Sequence, residues 1–388
     1  MKNVKIFAIN LELQAVRQID ELMEQPAFRD SKVRIMPDAH QGIGCVIGFT
    51  SDVRDVVIPN IVGVDIGCGL LVVELGHTPV DVRRLDEVIR SNIPSGFDTH
   101  PRPVADCPRL QELRCLPAMT NRERIVRSIG TLGGGNHFIE IDVDDENRHY
   151  LVIHSGSRNL GKQVAEHYQA LAYDLLRAEA GKGAPKGKAK KAAKPSVPRD
   201  LAWLTGKHMA DYLHDMRICQ EYAVLNRRIM ADMILREMGW EEDYPSFESI
   251  HNYIDMDDRI VRKGAIDASR GKRLIIPINM RDGCIIATGL GNDDWNRSAP
   301  HGAGRVMSRR QAFDSLDMEA YRQTMKDVYT TTVQPETLDE APMAYRPMEE
   351  ILSTIGDTVK VERIIKPIYN FKAAEDGGPR RRRRQRKR

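Results

Sequence analysis

The sequence predicts an α+β chain folded as one large body. Three observations lead there. Short strand-like segments are punctuated by glycine turns over much of its length. Two stretches, 163–180 and 199–238, carry helical spacing instead. The residue types that do chemistry are scattered from Asp65 to Lys372 rather than confined to one segment, which argues for one body with one cleft. With 388 residues, 41% hydrophobic and 29% charged, the chain has the balance of a globular protein. That excludes a fibrous repeat, a wholly disordered chain and a disulfide-stapled miniprotein.

The elements follow in order. Residues 1–10 read as a short strand with charges, not a signal peptide. Met36–Gly48 and Val62–Leu75 alternate small and β-branched residues and read as strands and turns. Val80–Ile93 reads as a helix, and Asp98–Pro117, with four prolines, as a loop. Ser128–Ile141 is a glycine turn entering a strand, and Tyr150–Gly161 a strand ending in a second glycine turn. Strands and turns are expected over 249–266 and 273–290, short helices at 320–329 and 348–355, and a closing strand pair over 359–371.

Charge is unevenly spread. The net charge is +3, yet residues 380–388 hold eight basic residues and no acid, and residues 181–198 hold six lysines and no acid. The rest of the chain is therefore acidic. Two basic appendages on an acidic body fit a polyanion partner, and equally a solvated linker and tail. The low-complexity stretch 181–198 cannot bury a core and is expected as a flexible insert; 374–388 is expected as a disordered basic tail. No apolar run reaches the ~18–20 residues that span a bilayer. A cytoplasmic location is expected. The six cysteines have no CxxC spacing, so plain buried thiols or a single thiolate ligand fit better than disulfides.

Five motifs carry chemistry. Asp65 and Cys68, in the turn VDIGCG, can aim a carboxylate and a thiolate at one metal ion; a turn aspartate beside a buried cysteine reads as well. In GGGNHFIE, alternation puts Asn136, Phe138 and Glu140 on one strand face and His137 on the other, as a ligand or a core histidine. His154 ends a strand before GSRNLGK. That string misses the P-loop pattern because Gln163 stands where Ser or Thr must bind magnesium, so Arg158 is expected on phosphate. His251-Asn252 says little alone. In SAPHGAGRVMSR, His301 is followed by open backbone N–H groups, and Arg305 and Arg309 are expected to share one helical face. A neutral imidazole there is a competent nucleophile toward phosphorus, while a solvated turn histidine is the plainer reading. Asp38 and His40, in MPDAHQGIG, are expected at most to orient a ligand. Asn226-Arg227-Arg228 is expected as a salt-bridged helix face.

Taken together and in this order, GVDIGCG, GGGNHFIE, HSGSRNLG, HN and SAPHGAGRVMSR resemble the RtcB family of RNA ligases, over about 36–372. The resemblance implies an α+β fold of mixed and antiparallel sheets around a central metal-binding cleft, with helices outside, over residues 1–373. It implies ligation of an RNA 3′-phosphate or 2′,3′-cyclic phosphate end to a 5′-hydroxyl end, using GTP and two Mn²⁺ ions, in RNA repair or tRNA splicing. Cys68 would bridge the metals, with Asp65 and His137 on one and His154 and His251 on the other. His301 would take GMP. Asn136, His137, Phe138, Ile139, Glu140, His251, Pro277, Ile278, Asn279, Met280, Cys284, Gly302, Ala303, Gly304, Tyr345 and Lys372 would surround the nucleotide. Arg158, Arg305 and Arg309 would bind RNA or nucleotide phosphates. Before His301 the chain departs from the family's usual PGSMG and later serine. Asn279 and Cys284 replace two nucleotide-contacting hydroxyls, and the short length suits a divergent branch. A metal-dependent phosphodiesterase without nucleotidyl transfer, or an RNA-binding protein with an idle site, are the other readings.

Overall fold

The computed structural model describes residues 3–28, 30–182 and 197–373. The basic tail lies outside them, as does nearly all of the insert. The first elements are β1 (Val4–Ile6), α1 (Leu13–Met23), β2 (Val33–His40), β3 (Ile47–Asp52), β4 (Val56–Val57), α2 (Pro59–Val62), β5 (Gly69–Gly76), α3 (Val82–Asn92) and α4 (Arg122–Arg127). Next come β6 (Phe138–Val143), β7 (His149–Ser155), α5 (Arg158–Lys182), β8 (Leu204–Thr205), α6 (Gly206–Met238), β9 (Ser246–Ile250), β10 (Asn252–Ile254), β11 (Ile260–Lys263) and β12 (Ala265–Asp267). The chain closes with β13 (Arg273–Asn279), β14 (Gly283–Gly289), β15 (Ser298–Pro300), α7 (Arg309–Ser315), α8 (Met318–Thr324), α9 (Met348–Leu352) and β16 (Val359–Lys372).

Two sheets dominate. The larger has seven strands in the order β13-β14-β16-β6-β7-β5-β9, every neighbour antiparallel. The smaller, β1-β2-β3-β11-β10, is mixed because β1 and β2 run parallel. This is the expected α+β class with mixed and antiparallel sheets.

The strand period explains the layering. Along β6, Ile139 and Ile141 join Leu71, Val73, Leu151 and Ile153 in a core covered by α3 and by Met230, Ile234 and Met238 of α6. Phe138 faces the other way, with Leu70, Val72, Val152 and Cys284. The first half of α6, through Tyr212, Met216 and Cys219, packs into a second core beside the smaller sheet. α6 is therefore the strut between two cores. No helix among the described residues is long and apolar enough to cross a membrane.

Three expectations need correction. Residues 359–371 form one strand, not a pair; register shifts near Arg363 and Pro367 let it serve β14 with its first half and β6 with its second. Helix α5 begins at Arg158, five residues before the expected start, directly after the Gly156-Ser157 turn. Helix α7 begins at Arg309, capped by the Ser308 hydroxyl, so Arg305 lies ahead of it and shares no helical face with Arg309.

Candidate metal centre and adjoining pocket

Four adjacent strands of the large sheet, β6, β7, β5 and β9, each end with one donor. Cys68 precedes β5, His137 precedes β6, His154 is the penultimate residue of β7 and His251 follows β9. The register brings these ends level: Leu70 and Phe138 both pair with His154, and Gly69 pairs with Ile250. Residues up to 183 positions apart in the chain thus meet at one sheet edge. Cys68 Sγ lies 3.4 Å from His137 Nε2 and 3.3 Å from His154 Nε2. His154 Nε2 lies 3.0 Å from His251 Nε2, and Asp65 Oδ2 lies 3.0 Å from His137 Nε2.

Local backbone makes this crowding possible. Gly67 has φ +74°, and a Cβ there would stand 2.9 Å from the Gln220 backbone of α6. At Gly156 a Cβ would collide with the Asp65 carboxylate, 2.2 Å from Oδ1.

The remaining ring nitrogens define what the cluster can do. His137 Nδ1 is 2.8 Å from the Leu132 carbonyl and His154 Nδ1 is 3.1 Å from that of Asn136. A carbonyl needs an N–H opposite it, so His154 Nε2 carries the lone pair; His137 Nδ1 faces both the Leu132 carbonyl and the Arg158 guanidinium, while its Nε2 faces Asp65. Burial pushes His154 and His251 well below the usual histidine range, so these rings are neutral. Burial also pushes the Cys68 thiol up, with the Asp65 charge adding to it. Burial would raise Asp65 too, but His137 and Arg158 outweigh it and hold the carboxyl below its usual range. The set is sulfur, imidazole nitrogen and carboxylate oxygen, nearly dry. Such a set fits a divalent cation.

Next to it stands His301, after β15. Its ring is 4.9 Å from that of His251. Its Nδ1 is 2.6 Å from Asp38 Oδ2, which also accepts from the backbone N–H of His301 and Gly302 at 3.1 and 3.2 Å. The buried carboxylate holds the Nδ1 proton and leaves Nε2 as the basic nitrogen. Asp38 thus orients the His301 imidazole, not one of the five donors. His40 stacks 6.4 Å away, its pKa pushed down to about 4 by burial.

A cavity of about 600 Å³ opens in front of His154 and His301. Every residue expected around a nucleotide lines it except three. His137 and His251 belong to the donor cluster. Ile139 sits wholly in the core on the far face of β6, as the strand period requires.

Inside the cavity lies an ion-pair knot that the sequence did not reveal. Glu340, 2% exposed, takes Lys372 Nζ at 2.6 Å, Arg309 Nη1 at 2.7 Å, Arg305 Nη1 at 3.4 Å and the Tyr345 hydroxyl at 2.6 Å. Arg309 also reaches Asp339 at 2.5 Å. Burial would raise Glu340, but Lys372, Arg309 and Arg305 hold it well below the carboxylate range. Deeper in, Glu140 accepts from Asn370, and burial with the neighbouring Asp142 pushes its carboxyl up. Asp142 is pushed up to about 7 by burial, only partly offset by the neighbouring Cys284 thiol.

Three other expectations change. Arg158 does not line the cavity; its Nη1 lies 3.2 Å from His137 Nδ1 and its guanidinium packs on Gly133, so it backs the donor cluster instead of facing phosphate. Asn279 is taken up by the β13–β14 turn, accepting from Arg281 and Asp282 N–H and donating to the Asp282 carboxylate. Asn226 and Arg227 are fully buried; the expected ion pairing is present, Arg227 and Arg228 both reaching Glu248, but Arg227 makes it inside the core rather than on the helix surface. All six cysteines are buried and free.

The profile of the family described as "tRNA-splicing ligase RtcB" matches residues 18–116 and 116–373. An RNA-splicing ligase RtcB of Escherichia coli K12 is 29% identical over 91% of this chain and 92% of its own length. tRNA-splicing ligases RtcB of Archaeoglobus fulgidus and Pyrobaculum aerophilum are 27% and 26% identical, over 89% and 85% of this chain and 88% and 85% of their own. With the profile covering nearly the whole length, this chain belongs to the RtcB family.

Proposed function

We propose that this protein is an RNA ligase that joins a 3′-phosphate or 2′,3′-cyclic phosphate end to a 5′-hydroxyl end, using GTP and divalent manganese. The observation that carries it is His301: its proton is fixed on Asp38, its Nε2 is left basic, and the ring stands in the cavity wall beside the donor cluster. Family membership supports the substrate class.

Asp65, Cys68, His137, His154 and His251 would hold two Mn²⁺ ions, which supply positive charge against the charge that develops on the transferring phosphate. The chain's own groups do the rest. His301 Nε2 attacks the α-phosphorus of GTP; an N–P bond forms, the bond to the pyrophosphate oxygen breaks, and Asp38 keeps the ring aligned as it becomes cationic. An oxygen of the RNA 3′-phosphate then takes the GMP, breaking the N–P bond and restoring His301. A cyclic end is first opened by water. The 5′-hydroxyl attacks the activated 3′-phosphorus and GMP leaves. The activation matters because a phosphate monoester is a poor electrophile until it carries a good leaving group. The Arg305–Arg309–Lys372 cations and the Tyr345 ring are suited to the nucleotide's phosphates and base.

The test is incubation with GTP labelled at the α-phosphate and Mn²⁺. The label stays on the wild-type protein in an acid-labile bond and is lost by at least ~10³-fold in His301→Ala. Equal labelling of His301→Ala, or none of wild type, overturns the reading. The occupation of Asn279 in a turn favours one second reading, a metal-dependent phosphodiesterase. It would open cyclic ends without GTP and form no adduct.

A further inference from the structure

Three polar side chains of α6 are buried completely, Asp215, Asn226 and Arg227, and the last two reach the donor segments. Neither lines the cavity. Arg227 Nη1 donates to the carbonyls of Gly67 at 2.9 Å and Ser155 at 2.7 Å, the residues just before Cys68 and just after His154. Its Nη2 donates to the Glu248 carboxylate at 2.6 Å, three residues before His251. Asn226 Nδ2 donates to the Thr131 carbonyl, the Ser155 hydroxyl and the Gly156 carbonyl at 3.1–3.2 Å, and its Oδ1 accepts from Thr131 N–H at 3.0 Å. The Ser155 hydroxyl in turn donates at 2.9 Å to the Leu132 carbonyl that receives His137 Nδ1. Four segments distant in sequence, each bearing one donor, are therefore tied to a single turn of one helix.

Burying a guanidinium costs several kcal/mol even when paired, and an apolar side chain would fill a core position of α6 at lower cost. What arginine adds is a rigid planar fork that fixes two carbonyls at set positions. Metal ligation rewards such placement, because donors must lie within about 0.2 Å of their ideal distances.

We propose that Arg227, with Asn226 beside it, is a positioning residue for the metal donors: its fork sets the spacing of the Cys68, His154 and His251 segments, so that divalent-metal affinity depends on it. This inference rests on the metal reading above. Arg227 touches neither metal nor substrate and acts through the backbone next to the ligands.

The test measures Mn²⁺ affinity, from the free-ion paramagnetic resonance signal, alongside the melting temperature of the metal-free full chain. Arg227→Lys keeps the charge but loses the fork, and is expected to bind Mn²⁺ about 10–100-fold more weakly, the usual cost of losing an outer-shell partner. Glu248→Gln takes the charge from one leg of the fork, weakening its hold, and is expected to weaken binding several-fold; it decides the matter if Arg227→Lys does not fold. Arg34→Lys is the control for a buried arginine remote from the site, bonded to Asp294. It is expected to melt earlier with unchanged Mn²⁺ affinity. Wild-type affinity in Arg227→Lys or in Glu248→Gln, or an equal loss in Arg34→Lys, overturns the inference. A wild-type protein that binds no Mn²⁺ overturns the metal reading itself, and this inference with it.

Discussion

The donor cluster and the cavity knot lie on either side of His301, and they handle charge in opposite ways. Around Cys68 stand imidazole nitrogens, a carboxylate and a sulfur, set 3.0–3.4 Å apart. The set holds more lone pairs than protons to satisfy them, so a cation suits it. Around Glu340 the groups are complementary, with three cations and a hydroxyl on one buried carboxylate. That region is satisfied as it stands. A ligand entering it must exchange existing contacts, while a metal entering the first meets the spare lone pairs. Under the proposed function, the first region suits a tightly held ion and the second a substrate that comes and goes.

This contrast can be broken by substitution. Glu340→Ala should have the largest effect on stability, since it strands Lys372, Arg305 and Arg309 without their shared partner. The expected loss is about 3–5 kcal/mol in denaturant unfolding, with Mn²⁺ affinity unchanged. Cys68→Ala should show the converse: metal affinity falls by at least ~10²-fold, beyond the cost of an outer-shell change, while the metal-free melting temperature barely moves. Adding Mn²⁺ at about 100 times its dissociation constant should stabilise wild type by about 2.7 kcal/mol, and chelation should remove that gain. Equal metal-free losses in Glu340→Ala and Cys68→Ala would erase the distinction.

The smallest effect sharpens the picture deeper in the cavity. Asp142 titrates at about 7 in the fold, against 3.8 for a free side chain, because it is buried. A carboxyl with a raised folded pKa favours folding below its unfolded value, and that contribution is lost as pH rises from about 4 to about 7. Asp142→Asn cannot ionise. It should therefore be more stable than wild type at pH 8, with the advantage vanishing by pH 4. An advantage that is the same at both pH values would mean that Asp142 is not a buried acid.

The sequence carried the donors well and the knot poorly, for physical reasons. Asp65, Cys68, His137 and His154 each sit in or beside a glycine turn at a strand end, and local pattern exposes such places; His251 has no such turn and came only from the family resemblance. The α+β class followed from the same alternation. Glu340 lies in a turn between short helices, and its partners come from residues 305, 309, 345 and 372. No local spacing announces a carboxylate that will meet three cations from elsewhere in the chain. Arg227 is ion-paired as expected, but its place in the core was missed for a related reason. A charged residue on a long helix is normally solvated, and only the packing of α6 between two cores puts this one inside. Arg158 looked like a phosphate ligand because its turn resembles one; the early start of α5 turns it back toward His137.

Crystals grown with Mn²⁺ and recorded at the manganese absorption edge test the central claim most directly. The account predicts two anomalous peaks enclosed by Asp65, Cys68, His137, His154 and His251, with the Cys68 sulfur between them and the His301 ring facing them. Absence of a peak at Cys68, or manganese bound only elsewhere, would contradict it.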